Sequence, residues 1–382
     1  MKVLLLGEYS GVHSNLSEAL KNQGFEVTLI SDGDGYKSFK SDFFISYVHT
    51  QVDNKIANKF LNLYYVVLSY SGFKGVIQIL KHFKTIKNMK NYDIVQLINP
   101  IFLTDFGSIV NLVVFLYLKK NNKKIFLCAL GDDFYWVKFC LDKGFDYSIF
   151  DRLSLKTLRY YSGSLLYVYG FLNPFLNKYI VKNVNAVIPG LYDYYASYKQ
   201  FPNCTEIVPI IIKTNNDTQP NIHLNDPVKI FHGWQIGKDL RKGNDIFDKA
   251  IKKLIEKYPD KIEYNIVSGV PYAEYIKVFE SADIFIDQCY SQDCGVNGLL
   301  GMREGKVVFS GFEREMLNYY NLDYTPGINS VPNETKIYND LEYLILNPSE
   351  IKKYFLRAKN FIQKFHSEEY VLDKYFKIWK DF

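Results

Sequence analysis

Residues 290–311 read YSQDCGVNGLLGMREGKVVFSG. A polar loop containing Gly295 opens a short helix over about 295–304, Gly305 ends it, and Val307, Val308 and Phe309 follow at once as an apolar strand. A helix N-terminus presents unpaired N–H groups and the positive end of the peptide dipoles, which together attract an anion. Gly295 and Gly298 carry no side chain, so either a ligand comes close to the backbone there or the helix packs tightly on its sheet. Both readings stand on the residues alone.

Working outward, the stretch is the last of three strand–loop–helix units. Residues 228–231 form a strand that leads into HGWQIGKDLRKGND (232–245) and a helix. Residues 264–267 lead into Ser268, Gly269, Val270 and Pro271 and a second helix, and the strand 283–287 enters the quoted stretch. Alternating strands and helices make a parallel sheet, whose loops at the carboxyl ends of the strands fall on one side. Three turns therefore converge on one crevice. His232, at the end of its strand, is expected to face it.

The first half repeats the alternation. Residues 2–6 (KVLLL) are a continuous apolar strand, Gly7 begins a turn, Ser14 is a candidate cap for a helix ending at Gly24, and a second strand follows over 25–30. The loop from Gly7 to Gly11 lacks the third glycine of the dinucleotide fingerprint, which speaks against a dehydrogenase. Strands at 93–97 and 124–130 flank a helix over 106–118. The second of these strands ends in Gly131, Asp132 and Asp133, where a carboxylate either holds a substrate hydroxyl or caps the next helix. Strands at 186–189 and 207–212 close this half. The segment KTNNDTQPNIHLNDP (213–227) has the composition of a linker. Phe361, Phe365, Leu372, Phe376 and Trp379 recur at helical intervals in the closing segment. The fold class is thus α/β, with Rossmann-like domains over 1–213 and 228–360, a linker over 214–227, and a terminal helix over 361–382.

Composition narrows the functional classes. At 382 residues, with 48% apolar and 23% charged residues, the chain can fill two ordinary cores. The net charge of +5 is far from a nucleic-acid-binding balance. Five cysteines without a CxxC pair fit reduced thiols in the cytoplasm better than disulfides or zinc, and Met1-Lys2 leads straight into a strand rather than a secretory segment. Asp32 and Asp34 suggest a calcium loop, but its twelfth position is Phe43, not glutamate. No metal and no cofactor are expected. The apolar run over 109–118 is about half the ~20 residues of a spanning helix. Residues 55–90 alternate Leu61, Val67, Ile77 and Leu80 with lysines at helical spacing. This is either an amphipathic helix on an anionic bilayer or, more commonly, a core helix with a solvated lysine face.

With these residues in view, the second half resembles a known family. Arg241-Lys242-Gly243 after the first strand, SADIFIDQ (281–288), the glycine loop and GKVVFSG (305–311) are similar to the C-terminal domain of GT-B glycosyltransferases, particularly the retaining family-4 type. The opening strand–loop–helix and the GDD turn resemble, more loosely, their acceptor domain. The resemblance implies two domains facing a central cleft, with a C-terminal helix crossing back to the first. It also implies a nucleotide-sugar donor, a glycan or lipid-linked glycan acceptor, and transfer without a metal in surface polysaccharide assembly. A peripheral membrane contact at the inner face of the cell membrane belongs to the same expectation.

On this likeness Arg241, Lys242, Gly295 and Val296 hold the donor diphosphate, and His232, Ser268, Gly269 and Asn297 hold the nucleoside. His13, Asp132, Asp133 and Gln292 are the candidates for the chemistry. The sequence departs from the family at its Glu-x7-Glu pair, where Gln292 and Leu300 stand; Asn297 or Asp293 would then take the ribose contact. That departure raises the alternative of a catalytically inactive binding or scaffold protein.

Overall fold

The computed structural model describes residues 1–35, 38–50, 52–213, 227–234, 237–269 and 272–382. The expected linker therefore lies almost wholly outside the described residues, as do Tyr36, Gln235, Ile236, Val270 and Pro271.

Two all-parallel sheets organise the chain. The first contains β1 (Lys2–Leu6), β2 (Glu26–Ser31), β3 (Phe43–Phe44), β4 (Ile94–Leu97), β5 (Lys124–Ala129) and β6 (Ala186–Pro189), in the order β3-β2-β1-β4-β5-β6. The second contains β7 (Val228–Gly233), β8 (Ile262–Val267), β9 (Ile284–Ile286), β10 (Val307–Ser310) and β11 (Ile328–Asn329), in the order β11-β10-β9-β7-β8. β1 is central, pairing with β2 on one side and β4 on the other, and its apolar run is buried on both faces: Leu4 and Leu6 pack with Val110 and Val114, and Val3 and Leu5 pack with Leu16 and Leu372. The order in which strands are added to each sheet reverses at β1/β4 and at β7/β9. Those are the two points where parallel sheets open a crevice beyond their strand ends.

One apolar cluster joins the two halves. Val12, Ile98, Leu130 and Ile207 of the first half pack with Cys294, Leu299, Phe312 and Phe361 of the second. The terminal helix, Glu368–Asp381, buries Val371, Leu372, Tyr375 and Trp379 against Val3, Leu5, Leu16 and Val27 of the first domain. It crosses back as expected.

Four local expectations are corrected. The closing segment is not one helix from 361. Ser349–Phe365 ends on the second domain and Glu368–Asp381 begins anew, because His366 is drawn into the joint, with its Nδ1–H donating to the Ile210 carbonyl at 2.8 Å, and Ser367 caps the next helix. Residues 207–212 form no strand: Pro209 has no N–H to donate, and the amide of Ile212 bonds instead to the His366 carbonyl at 3.0 Å. The first helix, Val12–Asn22, is capped not by Ser14 but by buried Glu8, which receives the amides of His13 and Ser14 at 3.3 and 2.7 Å. The helix Lys55–Tyr70 has no buried residue at all, so it is no core helix.

Candidate active site

The loops after β7, β9 and β10 face those after β5 and its following helix, and polar contacts bridge them. Arg241 leaves the short helix Asp239–Lys242, and its Nη2 lies 3.0 Å from Asp132 Oδ2 in the first domain. Ser164 Oγ also donates to that carboxylate. Arg152 pairs with Asp245 in the same cross-domain sense, through Nη1 at 2.5 Å and Nη2 at 3.1 Å. The Tyr147 hydroxyl donates to Glu313, whose carboxylate also accepts from Asn329 Nδ2 at 2.9 Å.

Lys242 is differently placed from its neighbour. Its Nζ lies 2.8 Å from Oδ1 of Asp287 at the end of β9, a carboxylate 2% exposed whose other oxygen accepts from Ser310 Oγ at 3.0 Å. A buried carboxylate needs such a partner, because desolvation without one costs several kcal/mol. Lys242 thus neutralises the floor of the crevice, while Arg241 reaches across it.

The helix Val296–Arg303 opens at Gly295 without a side-chain cap, and Asn297 in its first turn is exposed. Its amides are left for a ligand or water. The two readings of the glycines divide by position. A Cβ at Gly298 would meet Cys294 Sγ at 2.3 Å and one at Gly301 would meet Phe285 Cδ1 at 2.6 Å, so these two serve packing. A Cβ at Gly295 meets only Gln288 Nε2, at 3.7 Å, which leaves the helix entrance open.

The loop before this helix is clamped to the first domain. Asp193 accepts the amides of Gln292 and Asp293 at 3.3 and 2.8 Å, and Asp293 in turn accepts the amide of Tyr192 at 2.8 Å. Burial pushes Asp193 up to about 7 and Asp293 up to about 6. Gln292 is itself buried, and its Nε2 donates to the Tyr147 carbonyl at 3.2 Å.

Of the expected site residues, the structure brings together Asp132, Arg241, Lys242, Gln292, Gly295, Val296 and Asn297 around this crevice, with Ser268 and Gly269 exposed after β8. Three others are corrected. His13 is fully buried beneath the first loop. Its Nδ1–H donates to the Gly7 carbonyl at 2.8 Å, its Nε2 faces Gln96, and burial lowers its pKa to about 4, so it is no base for the cleft. Asp133 is the buried cap of the helix Phe134–Leu141, accepting the Trp136 amide and the Tyr198 hydroxyl, both at 2.8 Å. His232 is also fully buried; it meets the Tyr264 hydroxyl at 2.7 Å rather than the crevice.

Sequence reasoning missed Asp287, Glu313, Tyr147 and Asp193. Asp287 had a signal, being a carboxylate at the carboxyl end of a buried strand. Among the described residues no group of histidine, cysteine, aspartate and glutamate is arranged to hold a metal ion.

No family model matches the chain. It is 34% identical over 68 residues to a glycogen synthase of Thermotoga petrophila, a match that covers 18% of this chain and spans 14% of the synthase. Its fold matches the sucrose-phosphate synthase of Thermosynechococcus elongatus with a TM-score of 0.60 at 13% identity, covering 100% of this chain and 98% of that one. The Anabaena protein HepE, whose structure holds UDP and glucose, matches with a TM-score of 0.54 at 10% identity over the whole of both chains. The chain has the GT-B fold: two parallel-sheet α/β domains on either side of a cleft.

Proposed function

We propose that the chain is a nucleotide-sugar-dependent glycosyltransferase that moves a sugar to a glycan or lipid-linked glycan in surface polysaccharide assembly, with retention of configuration. The observation that carries the reading is Arg241, a cation that reaches across the crevice to Asp132 and adjoins Lys242, whose partner Asp287 lies against Gly298 of the helix Val296–Arg303 with its uncapped N-terminus. Breaking a glycosyl–phosphate bond gathers negative charge on the leaving diphosphate. A guanidinium and free helix amides fixed in place stabilise that charge more in the transition state than in the ground state. The first domain receives the acceptor, and Asp132 is its carboxylate paired with Arg241 across the crevice. The likeness in fold to HepE, whose structure holds UDP and glucose, and to sucrose-phosphate synthase supports the same reading. In this proposal transfer needs neither a metal nor a cofactor and takes place in the cytoplasm at the inner membrane face.

The test is transfer and donor hydrolysis by the purified chain over a panel of nucleotide sugars, with products identified by mass spectrometry. Arg241→Ala is expected to lower kcat/KM by about 100-fold. If no donor in the panel binds, the proposal fails.

One observation favours a second reading, an inactive GT-B scaffold. Leu300 stands where the family carries its ribose-binding glutamate, and it packs against the apolar joint. Donor hydrolysis abolished by Arg241→Ala excludes the scaffold.

A further inference from the structure

The helix Lys55–Tyr70 turns its apolar side outward. Ile56, Phe60, Leu63 and Val67 recur at intervals of four, three and four, which places them on one face, and Phe60 and Leu63 are 69% and 59% exposed. The following turns, Gln78–His82 and Phe83–Lys87, continue the pattern, with Ile77 82% and Leu80 67% exposed. Large apolar side chains in one contiguous exposed patch mark an interaction surface. The patch is fixed to the fold: the Tyr70 hydroxyl donates to the Ser162 carbonyl at 2.7 Å, and Gly75 packs against Phe106.

Charge identifies the occupant. Residues 54–92 contain Lys55, Lys59, Lys74, Lys81, Lys84, Lys87 and Lys90 and no aspartate or glutamate, a local charge of +7. The whole chain carries +5, so everything outside this segment sums to −2. Among the described residues Lys74 is the one of the seven with an ion-pair partner, Asp105 at 4.0 Å. A protein partner or a second copy would be expected to need acids opposite these lysines, and a second copy would bring +7 against +7. A sheet of anionic headgroups over hydrocarbon matches both components at once, receiving the apolar stripe between lysines that reach the phosphates. No helix among the described residues is long and apolar enough to cross a membrane.

We propose that residues 54–90 are a membrane-docking face, with the helix Lys55–Tyr70 lying in the surface of an anionic bilayer. The helix rests on Ser162–Tyr169, whose Ser164 holds Asp132, so the docked face adjoins the acceptor side of the crevice. The charge and exposure stand without any assumption about transfer.

The test is co-sedimentation of the full chain with vesicles of phosphatidylcholine alone and with about 30% phosphatidylglycerol. Strong binding to the anionic vesicles, weak binding to the neutral ones and release by salt are expected. The triple variant Phe60→Ser, Leu63→Ser, Ile77→Ser and the variant with Lys55, Lys59, Lys81, Lys84 and Lys87 changed to Gln should each bind about tenfold less or weaker still. All eight positions are exposed, and circular dichroism verifies that both variants fold. Equal binding to both vesicle types, unchanged binding by either variant, or self-association through this face without vesicle binding would each overturn the proposal.

Discussion

At the scale of single residues, the two adjacent cations of the crevice have different duties. Lys242 is committed to buried Asp287, and its removal would strand a carboxylate in the floor. Arg241 is paired with Asp132 across the domains, about a fifth of each side chain remaining exposed. A donor diphosphate would compete with that aspartate for the guanidinium. Asp132→Asn is therefore expected to tighten binding of a nucleoside diphosphate by about threefold, the worth of a partly exposed pair, while lowering kcat if Asp132 also orients the acceptor. Calorimetric titration of both proteins checks this, and weaker binding by the variant would show that Asp132 helps to hold the donor. The sequence pointed to Arg241 through its glycine-flanked loop. It could not show the partner, which lies 109 positions away, because pairing across a cleft leaves no mark in local spacing. His13 and His232 were misread for the complementary reason. A histidine at a strand end, as His232, or just past the following loop, as His13, looks the same in sequence whether its ring points into the crevice or under it.

At the scale of elements, the helix Val296–Arg303 is seated by Gly298 and Gly301 and opened by Gly295. Gly301→Ala forces a methyl against Phe285 and Val308 and is expected to cost about 1–3 kcal/mol of stability. Gly295→Ala finds space and an ordinary φ of −71°, so its stability should stay within about 1 kcal/mol of the parent while donor affinity falls. Thermal melts and nucleotide binding on the two variants separate the two roles. If Gly295→Ala binds the donor as the parent does, the helix entrance is not the diphosphate site. Strand–loop–helix order was legible here because buried parallel strands are continuous apolar runs and helices carry a 3.6-residue period. Residues 207–212 share the apolar run of a strand. Only Val208 meets a strand, donating to the Pro189 carbonyl at the end of β6; beyond it Pro209 has no N–H, and Ile212 donates to the His366 carbonyl, so the segment crosses the joint instead. Periodicity also left open which way the apolar stripe of Lys55–Tyr70 faces, since a stripe directed at the core and one directed at solvent have the same spacing.

At the scale of the whole molecule, the two domains are joined by a polar and apolar hinge centred on Ile210, His366 and the Asp193–Asp293 clamp. His366 is buried there, its Nε2 has no partner, and burial lowers its pKa to about 4. Its ordinary value is about 6.5, so between pH 4 and 6.5 the unfolded chain binds a proton that the folded chain refuses. Stability from this group is full above about 6.5 and is lost as pH falls toward 4. Asp193 and Asp293 run the other way: their raised values make the folded state hold protons longer, so they lose stability as pH rises through about 4 to 7. The two contributions overlap, which makes the total slope a poor readout and the difference between proteins a good one. His366→Gln removes only the histidine's share. Between pH 7 and pH 5 the parent is expected to lose about 1–2 kcal/mol more than the variant, measured by urea unfolding at each pH. Equal losses in both would mean that the imidazole is charged and accommodated in the hinge, and that the joint between the domains is wetter than its packing indicates.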